Sequence, residues 1–204
     1  MIERAIALEG STLVASCTEA FSEHAAWLLN LLRGEMTEPG GPTLRDGLRI
    51  QVGWTKFTMV QHGDRYSVCE PDFSTDPHEH LREDISVSLG VMLEQNLWSK
   101  TLNAPLNPAY YAEIVILQKC CLESERIYLE RRRPNGHDSG WYVGMTEGGR
   151  PAEADLEARE IWTVLRDRPA LIQFFALPAG FLVIMERDQA ISIANENNET
   201  VYSA

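Results

Sequence analysis

His137, Asp138 and Ser139 stand side by side in "RRRPNGHDSGWYVG", residues 131–144, and are the three side-chain types of a serine hydrolase relay. Such a relay needs its members to converge from separate segments, with the serine on a strained elbow beside oxyanion donors. Three consecutive side chains cannot form it, and "HDSGW" does not match G-x-S-x-G. Metal chemistry has one opening, at Asp76-Pro77-His78-Glu79-His80, where two histidines two residues apart face one way if extended. A third ligand would have to come from elsewhere, and the spacing is not H-E-x-x-H, so a solvated loop leading into a helix is the expected reading. Cys120 and Cys121 have no nearby histidine to generate a thiolate. Neither G-x-G-x-x-G nor a P-loop occurs. No catalytic residue, cofactor or metal site is expected.

Phosphate binding by Arg131, Arg132 and Arg133 would be the remaining chemistry. On an alternating strand two of the three share a face, and Glu123, Glu125 and Glu130 lie close by, which predicts a solvated or ion-paired strand end. A net charge of -12, from 30 acidic against 18 basic residues, repels phosphate backbones and attracts basic partners. Nucleic acid is therefore not an expected ligand. Recognition of a protein has better material. Asp72, Asp76, Glu79, Glu83 and Asp84 crowd one acidic region that could oppose a basic partner, the alternative being a solvated loop. Trp141 and Tyr142 could anchor a partner as aromatics, with Asp138 and Ser139 beside them. The competing reading has Asp138 and Ser139 capping a hairpin while Trp141 fills the core.

The elements that must position these residues follow from periodicity. Phe21, Ala25, Leu28, Leu29 and Leu32 predict an amphipathic helix over 18–33 stopped by Gly34, and Ile85, Leu89, Met92, Leu93 and Leu97 predict a second over 85–98. Residues 49–53, 55–61 and 66–69 read as a β-meander turned at "QHGDR". "NAPLNP" at 103–108 is the expected linker, dividing the chain into 1–104 and 105–204. Beyond it, 114–121 reads as a strand, 127–132 and 141–145 as a hairpin, and 154–166 as a helix carrying Leu156, Ile161, Val164 and Leu165. Further strands are expected at 171–177, 181–186 and 190–194, and Trp27, Trp98 and Trp162 are expected in the core. The fold class is α+β, with mixed, mostly antiparallel sheets and packed helices in two small α+β halves.

Cys17, Cys69, Cys120 and Cys121 lack C-x-x-C spacing and are expected as reduced thiols. "MIERAIALEGSTLVASC" does not read as a signal peptide, and no run approaches the roughly 18 apolar residues a membrane span needs. The cytoplasm is the expected compartment, with no membrane partner.

The run "CCLESERIYLERRRPNGHDSGWYVGMTEG" resembles the immunity protein 33 domain family, with Asp138-Ser139-Gly140-Trp141 its most specific part. "EAREIWTVLRDRPAL" and "FFALPAGFLVIMERD" look like that family's later helix and Leu-x-Pro-x-Gly strand, and the first half, with "GLRIQVGWTKF", "EPDF" and "DISVSLGVMLEQ", looks like a companion region. Two departures stand out: the triple arginine, where the family has an Arg-Glu-Glu type stretch, and His137. The resemblance implies a non-enzymatic antitoxin that binds and neutralises a cognate bacterial toxin, a basic protein by charge complementarity. Its expected contacts are Asp138, Ser139, Trp141, Tyr142, Asp72, Asp76 and Glu79. Two other classes stay open: a small-molecule or peptide hydrolase using His78, His80 or His137, and a regulatory ligand-binding module. The hydrolase reading requires a pocket joining at least two of those histidines.

Overall fold

The computed structural model describes residues 1–8, 10–149 and 151–204. The chain divides into two compact units, Met1–Met92 and Leu93–Ala204. The fold is α+β, with its described strands in two mixed sheets.

In the first unit, strands β1 (Ile2–Leu8) and β2 (Ser11–Cys17) form an antiparallel hairpin. Helix α1 (Ser22–Thr37) follows, and buries Ala25, Leu28, Leu29, Leu32 and Met36, the stripe expected of a 3.6-residue period. Strands β3 (Arg49–Val52), β4 (Thr55–His62) and β5 (Arg65–Pro71) make the antiparallel meander, with the short β6 (Leu81–Arg82) against β5. The sheet runs β1-β2-β5-β4-β3, and β2 beside β5 is its parallel pair. Trp54 is fully buried, stacks on Phe73 at 4.9 Å and donates its indole N–H to the Ser88 carbonyl at 3.3 Å. Trp27, expected in the core, is 49% exposed, because it lies off the buried stripe of α1.

Helix α2 (Ser86–Thr101) begins on carboxylates. Asp84 accepts the Ser86 N–H at 3.0 Å, and the buried Glu70 on β5 accepts the Ser88 N–H at 2.7 Å. Both satisfy first-turn donors and suit the positive end of the helix. Arg82 approaches the second Glu70 oxygen at 3.7 Å. Burial outweighs these contacts and pushes the Glu70 carboxyl up to about 7.

The second unit holds β7 (Ile114–Gln118), β8 (Arg126–Arg131), β9 (Asp138–Met145), β10 (Leu156–Glu160), helix α3 (Ile161–Asp167), a 3-10 helix (Pro169–Phe174), β11 (Leu182–Glu186), β12 (Gln189–Ala194) and β13 (Thr200–Ser203). Their sheet runs β10-β7-β9-β8-β11-β12-β13, antiparallel except for β7 beside β9. Two expectations are corrected here. The helix predicted over 154–166 is split, since 156–160 pairs with β7 as an edge strand and helix begins only at Ile161. The segment 171–177, predicted as a strand, is instead 3-10 helix through Phe174 followed by a turn, with Pro169 in the helix's first turn and Leu171, Ile172 and Phe174 buried.

One face of this sheet is core. Val115, Leu117, Ile127, Leu129, Trp141, Val143, Val183 and Met185 have no exposed surface. Trp98 of α2 packs on Phe174 and Tyr202, and Gln95 donates to the Ile172 carbonyl at 3.0 Å. No helix among the described residues is long and apolar enough to cross a membrane.

Candidate functional site

The hairpin β8–β9 carries the segment singled out by sequence. It turns through Asn135 to Asp138, whose backbone groups exchange hydrogen bonds of 2.9 and 3.0 Å with Gly136 at φ +60° between them. Strand alternation then sends successive residues of β9 to opposite faces. Ser139 is buried: its hydroxyl donates to the Ile114 carbonyl at 2.6 Å and accepts the Trp141 N–H at 3.2 Å. Trp141 is buried on the same side, stacked on Phe175 at 4.9 Å and 13°. Asp138 accepts the Gly140 N–H at 2.8 Å and is exposed, and Tyr142 is half-buried on the other face. Gly140 has φ +77°, and a Cβ there would sit 2.2 Å from the Arg132 carbonyl oxygen. Only glycine fits that close approach.

The arginine triplet separates in the same way. Arg132 and Arg133 are exposed, whereas Arg131 is buried, against the expectation of a solvated strand end. Its guanidinium donates to the carbonyls of Leu177 at 2.5 Å, Ser139 at 3.3 Å and Asn107, and sits 5.5 Å from the Trp141 ring centre. Burial lowers its pKa to about 10, partly opposed by Glu113, so it remains a cation at neutral pH. It stays inside because Arg131 shares the phase of Ile127 and Leu129, and backbone carbonyls of two loops and of β9 there accept its donors.

The opposite face of the sheet is open. Ile116, Tyr142, Glu130 and Leu182 lie in register across β7, β9, β8 and β11, with Gly144, Tyr128 and Ile184 in the next row. The apolar and aromatic members of these rows are half-buried. The Tyr128 and Tyr142 rings meet at 5.7 Å and 40°. Gly144 makes room for them, since a Cβ there would lie 2.7 Å from the Tyr142 ring. Burial first, and then Tyr128, push the Tyr142 hydroxyl up to about 12, so it stays protonated at neutral pH. A hollow of about 900 Å³ lies over β7–β10 with Asp138, Glu153 and Glu157 on its walls, and a second of about 450 Å³ lies towards β11. Both are lined by Tyr128, Glu130 and Thr146, so they adjoin along this face as two parts of a trough. Sequence reading offered Asp138 and Tyr142 as partner contacts but not Tyr128, Glu130, Ile116 or Glu157. The available signal was the outward phase of "IYLERR", which shows Tyr128 and Glu130 on one side.

The acidic group of the first unit occupies the loop between β5 and β6. Asp72 accepts from the Ser74 N–H at 3.0 Å and from the Ser74 hydroxyl at 2.6 Å, bonds that hold its carboxyl below the usual range. Asp76 accepts the His78 N–H at 2.9 Å, and Glu79 is exposed. Two of the three carboxylates therefore shape the loop as Asx turns. His78 and His80 are exposed on this loop, His137 is exposed on the β8–β9 turn, and neither hollow is lined by a histidine. Among the described residues no group of three or more His, Cys, Asp or Glu side chains is placed to hold a metal ion.

Comparison with curated proteins and with solved structures finds no match. The profile of the Imm33-like domain, an immunity-protein family by its name, matches residues 94–196, half of the chain and within the second unit. Strands β7 to β11, which bear the open trough, lie in the matched part, and the chain belongs to the Imm33-like domain family.

Proposed function

We propose that this protein is a non-enzymatic immunity protein that binds a cognate bacterial toxin directly and blocks it. The observation that carries the reading is the open, tyrosine-lined face on the domain that belongs to the immunity family. A binding protein needs a preformed surface with amphipathic anchors and no turnover chemistry, and two packed tyrosines on a rigid sheet supply such anchors at low entropic cost. The strong negative charge favours a basic toxin and speeds encounter with it, and the acidic loop bearing Asp72, Asp76 and Glu79 adds to that field. Residues 105–204 carry the recognition in this reading, and the protein acts in the cytoplasm, where it meets the toxin before the toxin reaches its target. The hydrolase reading has little support, because the three histidines are exposed and none of them lines either hollow.

Co-expression tests the proposal. The product of the gene next to this one is induced in a bacterial host with and without the chain. Restored growth with the chain, together with a stoichiometric complex on co-purification, is the expected result; arrest that the chain does not relieve would refute it.

A further inference from the structure

The trough has a chemistry that selects its occupant. Among the described residues its ionisable walls include the acidic Glu130, Asp138, Glu153 and Glu157, against one cation, Arg132. Arg132 lies 3.6 Å from Glu130 with its side chain 74% exposed, so it neutralises at most one carboxylate and is free to swing outwards. Glu157 has a distant partner in Arg159 at 3.9 Å, which leaves the trough negative. An anionic occupant would meet like charges, and a wholly apolar one would strip water from carboxylates without replacing it. The floor is apolar and aromatic, formed by Ile116, Leu182 and Ile184 with the Tyr128–Tyr142 pair, and aromatic faces attract ammonium and guanidinium groups.

Resting on the immunity reading, we infer that this trough is the docking site for an extended, cationic segment of the toxin. Its Lys or Arg side chains lie over the Tyr128–Tyr142 pair and reach Glu130, Asp138 and Glu157, while its apolar side chains face Ile116 and Leu182. Register supports an extended occupant. The row Ile116–Tyr142–Glu130–Leu182 crosses β7, β9, β8 and β11, so an extended guest lying along it meets apolar positions at both ends and a tyrosine beside a carboxylate between them.

The test uses the full isotope-labelled chain and two capped octapeptides, one alternating lysine with leucine and the other glutamate with leucine. The lysine peptide should shift the amides of Tyr128, Glu130 and Tyr142 saturably, and the glutamate peptide should not. The double substitution Glu130→Lys with Glu157→Lys should weaken the lysine peptide at least about tenfold, while Glu35→Lys, at an exposed position of helix α1 in the first unit, leaves affinity within about twofold. Shifts centred on residues 72–80, no binding, or unchanged affinity in the double variant would overturn the inference. Should that variant fail to fold, Gly144→Ala, which displaces the tyrosine rings without altering charge, must weaken binding instead. The co-expression assay separates this inference from the reading beneath it. Protection by the wild type and equally by the folded double variant removes the trough but leaves immunity intact. Peptide seated in the trough without protection removes immunity and leaves the trough.

Discussion

Replacing Arg131 with methionine keeps the length of the side chain and removes the guanidinium that ties the segments at Asn107 and Leu177 to strands β8 and β9. Its bonds to the carbonyls of Leu177, Ser139 and Asn107 are charge-assisted, at about 2 kcal/mol each, or about 6 kcal/mol together. Against this, burial lowers the Arg131 pKa from 12.5 to about 10, which amounts to a penalty of about 3 kcal/mol on the charged form. The net contribution is about 3 kcal/mol, and Arg131→Met should destabilise the second unit by about that amount. Arg131→Lys should recover less than half, because a single ammonium cannot span carbonyls from three segments. Urea unfolding of the full chain, read by hydrogen exchange at β8 and β9 amides, resolves the second unit from the first. A methionine variant as stable as the wild type, within about 1 kcal/mol, would refute the reasoning.

Further outcomes follow from the same structure. The raised Glu70 pKa means that the folded state holds this proton more tightly than the unfolded chain, so the associated stability is complete below about pH 4.5 and is lost as pH rises through about 7. Glu70→Gln should remove about 3 kcal/mol of that pH dependence in urea titrations of the first unit, and identical slopes for both proteins would contradict it. Gly140→Ala should cost about 2–4 kcal/mol in thermal or urea unfolding, because the positive φ and the Arg132 carbonyl both exclude a Cβ. Gly144→Ala meets only the ring edges of Tyr142 and Tyr128 and should cost under about 1 kcal/mol while moving the Tyr142 ring, seen in aromatic NMR shifts. Alkylation of the native protein at about pH 8 should label Cys120 alone, since Cys17, Cys69 and Cys121 are buried and burial pushes the last two thiols up to about 12 and about 11. Equal labelling of Cys121 by mass spectrometry would contradict its placement.

The hairpin was legible in the residues because "IYLERR" alternates and a turn-rich run precedes the strand-like "WYVGM", although the second strand begins at Asp138, inside the segment read as turn. The meander over residues 49–71 and the helix from Ser86 were legible for similar reasons of period and punctuation. The β1–β2 hairpin was not read, because β1 is an edge strand with only Leu8 buried, and its charges hide the alternation. Residues 156–160 carried enough helical spacing to be merged with the following helix, and edge pairing with β7 overrode it. Arg131 shows the converse. Its phase matched the buried face, and charge argued for solvent; the unpaired carbonyls of Asn107, Ser139 and Leu177, on three separate segments, decided the outcome. The trough was illegible for a related reason. It is assembled by register across β10, β7, β9, β8 and β11, and cross-strand neighbours such as Tyr142 and Glu130 are set by the pairing of whole strands.

Direct titration of the purified chain with the purified product of the gene next to its own, followed by calorimetry, tests the central claim most directly. A one-to-one complex with a dissociation constant in the nanomolar range or tighter, weakened by salt and by Glu130→Lys with Glu157→Lys, is the predicted result. No detectable heat with a folded, active toxin that the chain leaves fully active would contradict it.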